Sequence, residues 1–180
     1  HNVHISFAYV LSLAAHMKES ISVLDYGGAL GHYYIIAKAT LPHLEIDYSV
    51  KEVPLMADAG RELNPEVHWY DDDSFLERSY DVVMMNGSTP YLPDWKEQLP
   101  RIAKSVDQYF FLTRQAVVQT SPTYVAIQRV YGSHMLHQQL NQHELLDVMA
   151  QTELTLVREF VVADRPIVQN APEQPELRGW

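Results

Sequence analysis

The sequence of 180 residues contains no cysteine, which excludes disulfide bonds and thiolate metal sites. A chain without cysteine fits a reducing compartment, so we expect a cytoplasmic protein. Basic residues are also scarce, since 13 lysines and arginines against 23 aspartates and glutamates give a formal net charge of -10. A net negative protein repels phosphate backbones, so we expect no nucleic-acid partner.

Long apolar runs are absent as well. No run approaches the roughly 20 residues of a membrane-spanning helix, so we expect no membrane span. The chain starts at His1 with neither a Met nor a basic segment, which predicts no signal peptide and leaves open a missing N-terminal piece. A chain of this length fits one domain over residues 1–180, because such a domain buries about 70% of its unfolded surface.

Apolar segments alternate with amphipathic ones, as in β-α-β units. The predicted helices are 7–18, 32–39, 54–63, 93–105 and 141–151. The predicted strands are 21–25, 46–52, 67–70, 80–85, 108–113, 153–161 and 165–169. The stretch around Pro122 and the tail 171–180 are predicted to be irregular. The connection between the last two strands allows only a hairpin. The predicted fold class is therefore α/β: a mostly parallel seven-stranded sheet with a terminal antiparallel hairpin and helices on both faces.

A glycine-rich segment, Asp25-Tyr26-Gly27-Gly28-Ala29-Leu30-Gly31, joins a predicted strand to a predicted helix. Glycines permit positive φ and close approach of a ligand to the backbone. The helix N-terminus offers free N–H groups to a carboxylate. The loop lacks the Gly-x-Gly-x-x-Gly of dinucleotide sites, which disfavours a nicotinamide-dependent oxidoreductase. For the loop alone, a tight turn without a ligand is the alternative.

Acidic residues lie at the ends of three predicted strands: Asp25, then Glu52, then Asp71 with Asp72. Ligands of open α/β sheets bind at the carboxyl ends of the strands. We therefore expect these carboxylates to converge with the glycine loop on a single ligand.

The loop resembles the acidic-x-Gly-x-Gly-x-Gly motif of class I methyltransferases, with Ala29 in place of the middle glycine. The resemblance covers most of the chain and implies a Rossmann-like methyltransferase fold with S-adenosylmethionine as cofactor. It implies that Glu52 grips the ribose hydroxyls, that Asp71 or Asp72 lies beside the adenine amine, and that Asn86 lies near the methyl group. The implied cofactor-binding residues are Asp25, Gly27, Gly28, Ala29, Gly31, Glu52, Val53, Asp71, Asp72, Asn86 and Gly87.

Within this class, the sequence is similar to a group of methyltransferases associated with bacterial surface-polysaccharide gene clusters. The segments that carry the similarity are 24–33, 52–54, 86–88 with Tyr91, and 170–172. The similarity implies O-methylation of a sugar-like or other polar small molecule, in polysaccharide biosynthesis. The expected partner is a small-molecule or glycan acceptor.

Methyl transfer to a hydroxyl needs alignment and is helped by a general base. The candidate bases are His32, beside the glycine loop, and Asp94. For Ser88 and Tyr91 a plain turn is an equal alternative to a role in substrate binding. The candidate substrate-binding residues are Tyr33, Ser88, Tyr91, Tyr124 and Gln128.

Two further alternatives concern metals and catalysis. His134 and His137 lack a His-Glu-x-x-His pattern or a carboxylate partner, so we predict no metal site. The alternative function is a non-catalytic methyltransferase-like binding or scaffold domain, which Ala29 and the lack of a clear base favour. The oligomeric state stays open.

Overall fold

The computed structural model describes residues 2–130, 132–160 and 178–179. The helices in this part of the chain are α1 (Asn2–Ala14), α2 (His32–Thr40), α3 (Pro54–Leu63), α4 (Trp95–Ala103) and α5 (Gln142–Met149). The strands are β1 (Ser20–Tyr26), β2 (Glu45–Lys51), β3 (His68–Tyr70), β4 (Tyr80–Asn86), β5 (Val106–Thr113), β6 (Ala116–Val118), β7 (Tyr124–Val130), β8 (Ser133–Asn141) and β9 (Arg178–Gly179). Short 3-10 turns lie at Asp73–Glu77 and Thr89–Tyr91.

The contacts divide the chain into two compact units, residues 1–86 with 101–112 and residues 87–100 with 113–180. The first unit contains a sheet of five parallel strands in the order β3-β2-β1-β4-β5. The strand order reverses beside β1, between β1 and β4, and open α/β sheets bind their ligands at such a point. The predicted α/β, Rossmann-like class is confirmed.

The centre of this sheet is apolar on both faces. All residues of β4 from Tyr80 to Met85 are buried, as are Val23 and Leu24 on β1. Strands covered on both faces are continuous apolar runs, which explains why β1 and β4 are easy to recognise in the sequence. Helix α1 packs on α2 through the rings of Phe7 and Tyr33, whose centroids are 5.2 Å apart. It begins at Asn2, earlier than predicted, and has ended before Met17, which has a φ of 60°.

The second unit contains a smaller mixed sheet. Strands β7 and β8 form an antiparallel hairpin, and β8 continues as a parallel neighbour of β6. The two-residue strand β9 extends this sheet as an antiparallel neighbour of β6.

The predicted seven-stranded sheet with a terminal hairpin is therefore wrong. Residues 153–160 form no strand, and the predicted strand 165–169 lies outside the described residues. The stretch around Pro122, predicted to be irregular, leads directly into the hairpin of β7 and β8. Strand β8 is rich in histidine and glutamine, so its strand conformation depends on pairing with β7 and not on local propensity.

Asp81 on β4 is a buried carboxylate that accepts hydrogen bonds from three residues of the first unit. Lys18 Nζ lies 2.5 Å from it, the Ser22 amide 3.0 Å and Gln108 Nε2 2.7 Å. Burial raises the pKa of Asp81, but these donors outweigh burial and hold the pKa below its usual value of 3.8. The ionised form is therefore favoured by folding.

We expect Asp81→Asn to lower the free energy of unfolding by about 1–2 kcal/mol at pH 7, because it removes hydrogen bonds to a charged acceptor. A depressed pKa stabilises the folded state above the unfolded pKa, and this contribution is lost as the pH falls towards the folded pKa. The difference between Asp81→Asn and the parent should thus shrink at pH 3 in urea unfolding. Asp107→Asn, on an exposed position of β5, is the control. An unchanged difference at pH 3 would contradict the assignment.

Candidate functional site

The glycine loop connects β1 to α2 through residues with positive φ. Gly27, Ala29 and Gly31 have φ values of 75°, 51° and 77°. Glycine adopts this region freely, whereas a residue with a Cβ pays roughly 1 kcal/mol or more. Gly31 also occupies the N-cap position of α2. The turn therefore requires two of its glycines, and Ala29 adopts the same region under strain.

Asp25 lies directly beneath this loop. A Cβ placed on Gly28 would lie 2.6 Å from both Cγ and Oδ2 of Asp25. The Asp25 side chain is fully buried, and its Oδ2 accepts a hydrogen bond of 3.1 Å from the Tyr48 hydroxyl. Its Oδ1 has no hydrogen-bond partner within the described residues. Burial raises the pKa of Asp25 to about 7, with the Tyr48 hydrogen bond lowering it and the Glu52 charge raising it.

Glu52 ties the loop to the end of β2. Its Oε1 accepts the Ala29 N–H at 2.9 Å, and its Oε2 accepts the N–H of Val53 at 2.9 Å. The Gly27 N–H donates to the Lys51 carbonyl at 2.8 Å. The structure thus brings Glu52 into contact with the glycine loop at the carboxyl edge of the sheet, and Val53 is bonded to Glu52.

Trp69 on β3 supports the same loop, a role that the sequence did not reveal. Its Nε1 donates to the Asn64 carbonyl at 3.1 Å, and Asn64 Nδ2 donates to the Leu30 carbonyl at 2.8 Å. A Cβ on Gly31 would lie 3.2 Å from the indole, and one on Gly60 would lie 2.3 Å from it. Gly60, an isolated glycine inside a helix, is the sequence signal for this close packing.

The two acids after β3 have partners of their own. Asp71 forms an ion pair with Arg61 at 3.3 Å. Asp72 accepts the Ser74 N–H at 3.0 Å at the start of a 3-10 turn, and hydrogen bonds from Ser74 lower the pKa of Asp72. In the described part of the chain, no hydrogen bond links either carboxylate to the glycine loop. Their contact with adenine stays a prediction.

Asn86, His32 and Tyr33 are brought together on the first unit. Asn86 ends β4 and its Nδ2 donates to the Tyr33 hydroxyl at 3.0 Å. The ring of Tyr33 lies 4.2 Å from that of His32. Burial lowers the pKa of His32, and the charge of His4 lowers it further. His32 is therefore neutral at pH 7, which is the state that a general base needs.

The other candidate residues lie on the second unit. Ser88 occupies the N-cap position of the 3-10 turn that contains Tyr91. The Tyr91 hydroxyl donates to Gln128 Oε1, and its ring lies 4.9 Å from that of His137, which sequence reasoning had considered only as a metal ligand. Tyr124 pairs with Gln139 across the hairpin.

Two further predicted positions of the second unit have backbone roles. The Gly87 N–H donates to the Thr113 carbonyl at 2.8 Å, with a φ of 72° at Gly87. Asp94 is exposed, and its carbonyl accepts the N–H groups of Glu97 and Gln98 at the start of α4. Their predicted cofactor and catalytic roles stay predictions.

Residues 2–130, 132–160 and 178–179 contain no group of three or more His, Asp or Glu side chains placed to hold a metal ion. Within the same residues, no helix is long and apolar enough to cross a membrane.

Comparison with known proteins identifies the fold. No protein-family model matches this chain, and no curated protein matches it. The solved structures that it resembles are class I S-adenosylmethionine-dependent methyltransferases. An amino pentose methyltransferase from Micromonospora echinaspora, solved with S-adenosylmethionine, aligns with a TM-score of 0.60 and 13% identity over 84% of this chain and 81% of its own.

Two more solved structures align in the same way. DesVI from Streptomyces venezuelae has a TM-score of 0.61 and 13% identity, over 82% of this chain and 80% of its own. A sugar N-methyltransferase from Streptoalloteichus has a TM-score of 0.58 and 13% identity, over 82% of this chain and 76% of its own. The chain therefore has the α/β Rossmann-like methyltransferase fold.

The strain at Ala29 gives a prediction in an unusual direction. We expect Ala29→Gly to raise the free energy of unfolding by about 0.5–1 kcal/mol, because the gain at positive φ exceeds the entropy cost of glycine. The matched control is Ala39→Gly on an exposed position of α2, which should lower it by about 1 kcal/mol. Thermal unfolding followed by circular dichroism measures both. Loss of stability in both variants would contradict the strained conformation.

Proposed function

We propose that this protein is an S-adenosylmethionine-dependent methyltransferase. The observation that carries the proposal is the loop Gly27–Gly31 at the carboxyl end of β1, joined to Glu52 after β2 through the Ala29 N–H. The site lies beside the reversal of strand order, where sheets of this kind bind ligands. The alignment with methyltransferases of 13% identity supports the proposal through the shared fold.

The residues present fit such a cofactor. The loop and the N-terminus of α2 offer backbone N–H groups for the carboxylate of its methionine part. Glu52 is the acceptor for the ribose hydroxyls. Val53, which follows it, is an apolar side chain that is 58% exposed, and Leu55 is 80% exposed, so apolar surface lies beside Glu52 for an adenine ring. S-adenosylmethionine supplies an electrophilic methyl group when it is bound.

The chemistry of this chain then consists of binding, alignment and proton removal. Alignment of an acceptor with the methyl group supplies several kcal/mol of the barrier reduction. His32, neutral at pH 7, takes the proton of the acceptor hydroxyl in this proposal. Asn86 is held by Tyr33 and offers its carbonyl oxygen, which has no partner within the described residues, to the same acceptor.

The acceptor that we propose is a hydroxyl group of a sugar-like or other polar small molecule. The similarity of segments 24–33 and 52–54 to methyltransferases of surface-polysaccharide gene clusters supports this choice. Two of the compared structures are an amino pentose methyltransferase and a sugar N-methyltransferase, so sugar amines belong in the test beside sugar hydroxyls.

Two measurements, made one after the other, test the proposed function. Calorimetry with S-adenosylhomocysteine is expected to show binding in the micromolar range. Radiolabelled S-adenosylmethionine is then incubated with nucleotide sugars, glycans and matched amino sugars, and label is expected on a hydroxyl group. Transfer only to the amine of the amino sugars would overturn the hydroxyl acceptor and leave the methyltransferase assignment intact. Absence of binding at millimolar ligand would overturn the cofactor assignment. Binding without transfer to any sugar would overturn the acceptor class alone.

Glu52→Gln tests the ribose contact. The change keeps the shape but removes the charge, so we expect the affinity for S-adenosylhomocysteine to fall about 10- to 100-fold, as for a hydrogen bond to a charged group. Glu62→Gln, on the exposed face of α3, is the control and should bind as the parent does. Equal affinities of the two variants for S-adenosylhomocysteine would show that Glu52 does not bind the ribose.

The second candidate function is a binding or scaffold domain without catalysis. One observation favours it: both carboxylate oxygens of Glu52 already accept backbone N–H groups, those of Ala29 and Val53. A cofactor must share the carboxylate with these bonds and use the remaining acceptor site of each oxygen. The calorimetry above separates the candidates, since a scaffold domain should bind no S-adenosylhomocysteine at millimolar concentration.

A further inference from the structure

Asp25 and Tyr48 form a buried pair inside the first unit. Asp25 is completely buried, Tyr48 is 1% exposed, and the tyrosine hydroxyl donates to Oδ2 of the carboxyl at 3.1 Å. Oδ1 has no hydrogen-bond partner among the described residues. A buried carboxylate ordinarily has a cation or several donors, because burial without them is costly. Here a single neutral hydroxyl is the donor.

No cationic side chain of the described residues donates a hydrogen bond to Asp25. Lys38 on α2 lies over the ring of Tyr34, with its Nζ 5.8 Å from the ring centroid. Glu52, after β2, opposes ionisation of Asp25 by its own charge. From α2, the ring of Tyr34 lies 5.5 Å from that of Tyr48, and Tyr33 acts on Tyr48 electrostatically. From β4, the residue in register with Asp25 is the apolar Met84. Burial raises the pKa of Tyr48 well above 10, so its hydroxyl remains a donor.

The pair touches the proposed cofactor site through the loop backbone. The Asp25 carboxyl lies against Gly28 so closely that a Cβ there would be 2.6 Å from it. Consider a positive charge that binds to the loop on the side facing away from Asp25. Little more than the backbone of Gly28 then lies between this charge and the Asp25 carboxyl. At that range in a protein interior, Coulomb attraction favours the ionised carboxylate.

We propose that Asp25 is a buried counter-ion which becomes ionised when a cationic cofactor binds over Gly28, and that Tyr48 is the positioning residue that holds this carboxyl against the loop. The inference rests on the proposed function and extends it to a proton linkage. The proton leaves the Asp25 carboxyl and passes to the buffer. S-adenosylmethionine provides two positive groups, its sulfonium and its ammonium.

The sign of the linkage follows from the direction of the shift. In the free protein, burial raises the pKa of Asp25 to about 7, and a nearby cation lowers it in the complex. A ligand that releases a proton binds more tightly as the pH rises through the free pKa. We expect the affinity to increase about five- to tenfold from pH 6 to pH 8 and to level off above that range.

Calorimetry at pH 7 in phosphate and in imidazole, two buffers of different ionisation enthalpy, measures the released protons. We expect about half a proton per bound ligand, since a group with a pKa near 7 is half protonated there. The probes are S-adenosylmethionine and S-adenosylhomocysteine. Release with both ligands identifies the ammonium as the partner, and release with the first alone identifies the sulfonium. Asp25→Asn cannot ionise at this position and should release no proton from it. Any protons exchanged by the ligand itself are measured with this variant and subtracted from the parent's value.

Tyr48→Phe separates positioning from simple packing. Loss of the hydroxyl removes the hydrogen bond that favours ionised Asp25, so the pKa of Asp25 rises and the midpoint of the affinity profile moves to higher pH. We expect weaker binding at pH 7 and recovery towards parental affinity at pH 8.5. Tyr34→Phe, the neighbouring ring with its hydroxyl removed, is the matched control and should keep the parental profile. A uniform loss of affinity at all pH values would assign Tyr48 a packing role only.

The outcomes distinguish this inference from the proposed function. Failure of both ligands to bind overturns the cofactor assignment itself. Tight binding with equal enthalpies in the two buffers, and with the same pH profile in the parent and Asp25→Asn, leaves the cofactor assignment intact and overturns the proton linkage.

Discussion

Replacement of Gly28 by alanine is expected to abolish binding of S-adenosylhomocysteine, with a loss of at least about 100-fold, and to destabilise the protein by about 2–3 kcal/mol. The new Cβ would lie 2.6 Å from the Asp25 carboxyl, which is buried and bonded to Tyr48. Because this carboxyl is completely buried, we expect the loop backbone to move instead. That movement breaks the bond between the Ala29 N–H and Glu52, on which the site depends.

Two further variants show whether the clash is the cause. Gly132→Ala places a Cβ at a φ of 74° with nothing within 4 Å, so it should show only the conformational penalty of about 1 kcal/mol and normal binding. Gly28→Ala combined with Asp25→Ala removes the atoms that clash, so the two changes should be non-additive in urea unfolding by more than about 1 kcal/mol. If Gly28→Ala bound S-adenosylhomocysteine like the parent, the close contact with Asp25 would not exist.

The second large effect is expected from Gly60→Ala on α3. A Cβ at this position would lie 2.3 Å from the Trp69 indole, which cannot retreat because its Nε1 donates to the Asn64 carbonyl. Overpacking of a filled core costs about 1–3 kcal/mol and sometimes more. We expect Gly60→Ala to lower the free energy of unfolding, measured with urea, by an amount in the upper part of this range. Weaker cofactor binding should follow, since Asn64 holds the Leu30 carbonyl of the glycine loop.

The partner variant is Trp69→Phe, which lacks the outer ring that Gly60 faces. In the double variant, the cost of Gly60→Ala should fall by more than about 1 kcal/mol relative to its cost in the parent. Glu62→Ala, on the exposed side of the same helix, should change stability by less than about 0.5 kcal/mol. An equal cost of Gly60→Ala with and without Trp69→Phe would mean that the indole is not the obstacle.

The helices and strands that could be predicted are those whose signals lie in consecutive residues of the sequence. The predicted helix 54–63 coincides with α3, and the predicted strand 80–85 covers all but the last residue of β4. Both have strong local signals, a proline in the first helical turn and an uninterrupted apolar run. The hairpin of β7 and β8 was missed, because glutamine and histidine in β8 become strand residues only through their register with β7.

The candidate site divides in the same way. The glycine loop and the acid after β2 could be located from spacing alone, since they are local features of one strand end each. Tyr48 gave no such signal, because its role depends on Asp25, a residue that is distant in the chain. For Trp69 the signal is indirect, the isolated glycine Gly60 inside α3. Asp71 and Asp72 could not be distinguished in the sequence. In the structure, Asp71 forms an ion pair with Arg61, whereas Asp72 accepts a hydrogen bond from Ser74.

By itself the sequence determined the positions of the loop, the inner strands and the acid at Glu52, because glycine requirements and apolar runs are properties of neighbouring residues. Tertiary structure alone decided that Asp25 has one neutral donor and no cation among the described residues, and that an indole supports the loop from below. The reason is physical: burial, and the partners that offset its cost, are set by segments that meet only after the chain has folded.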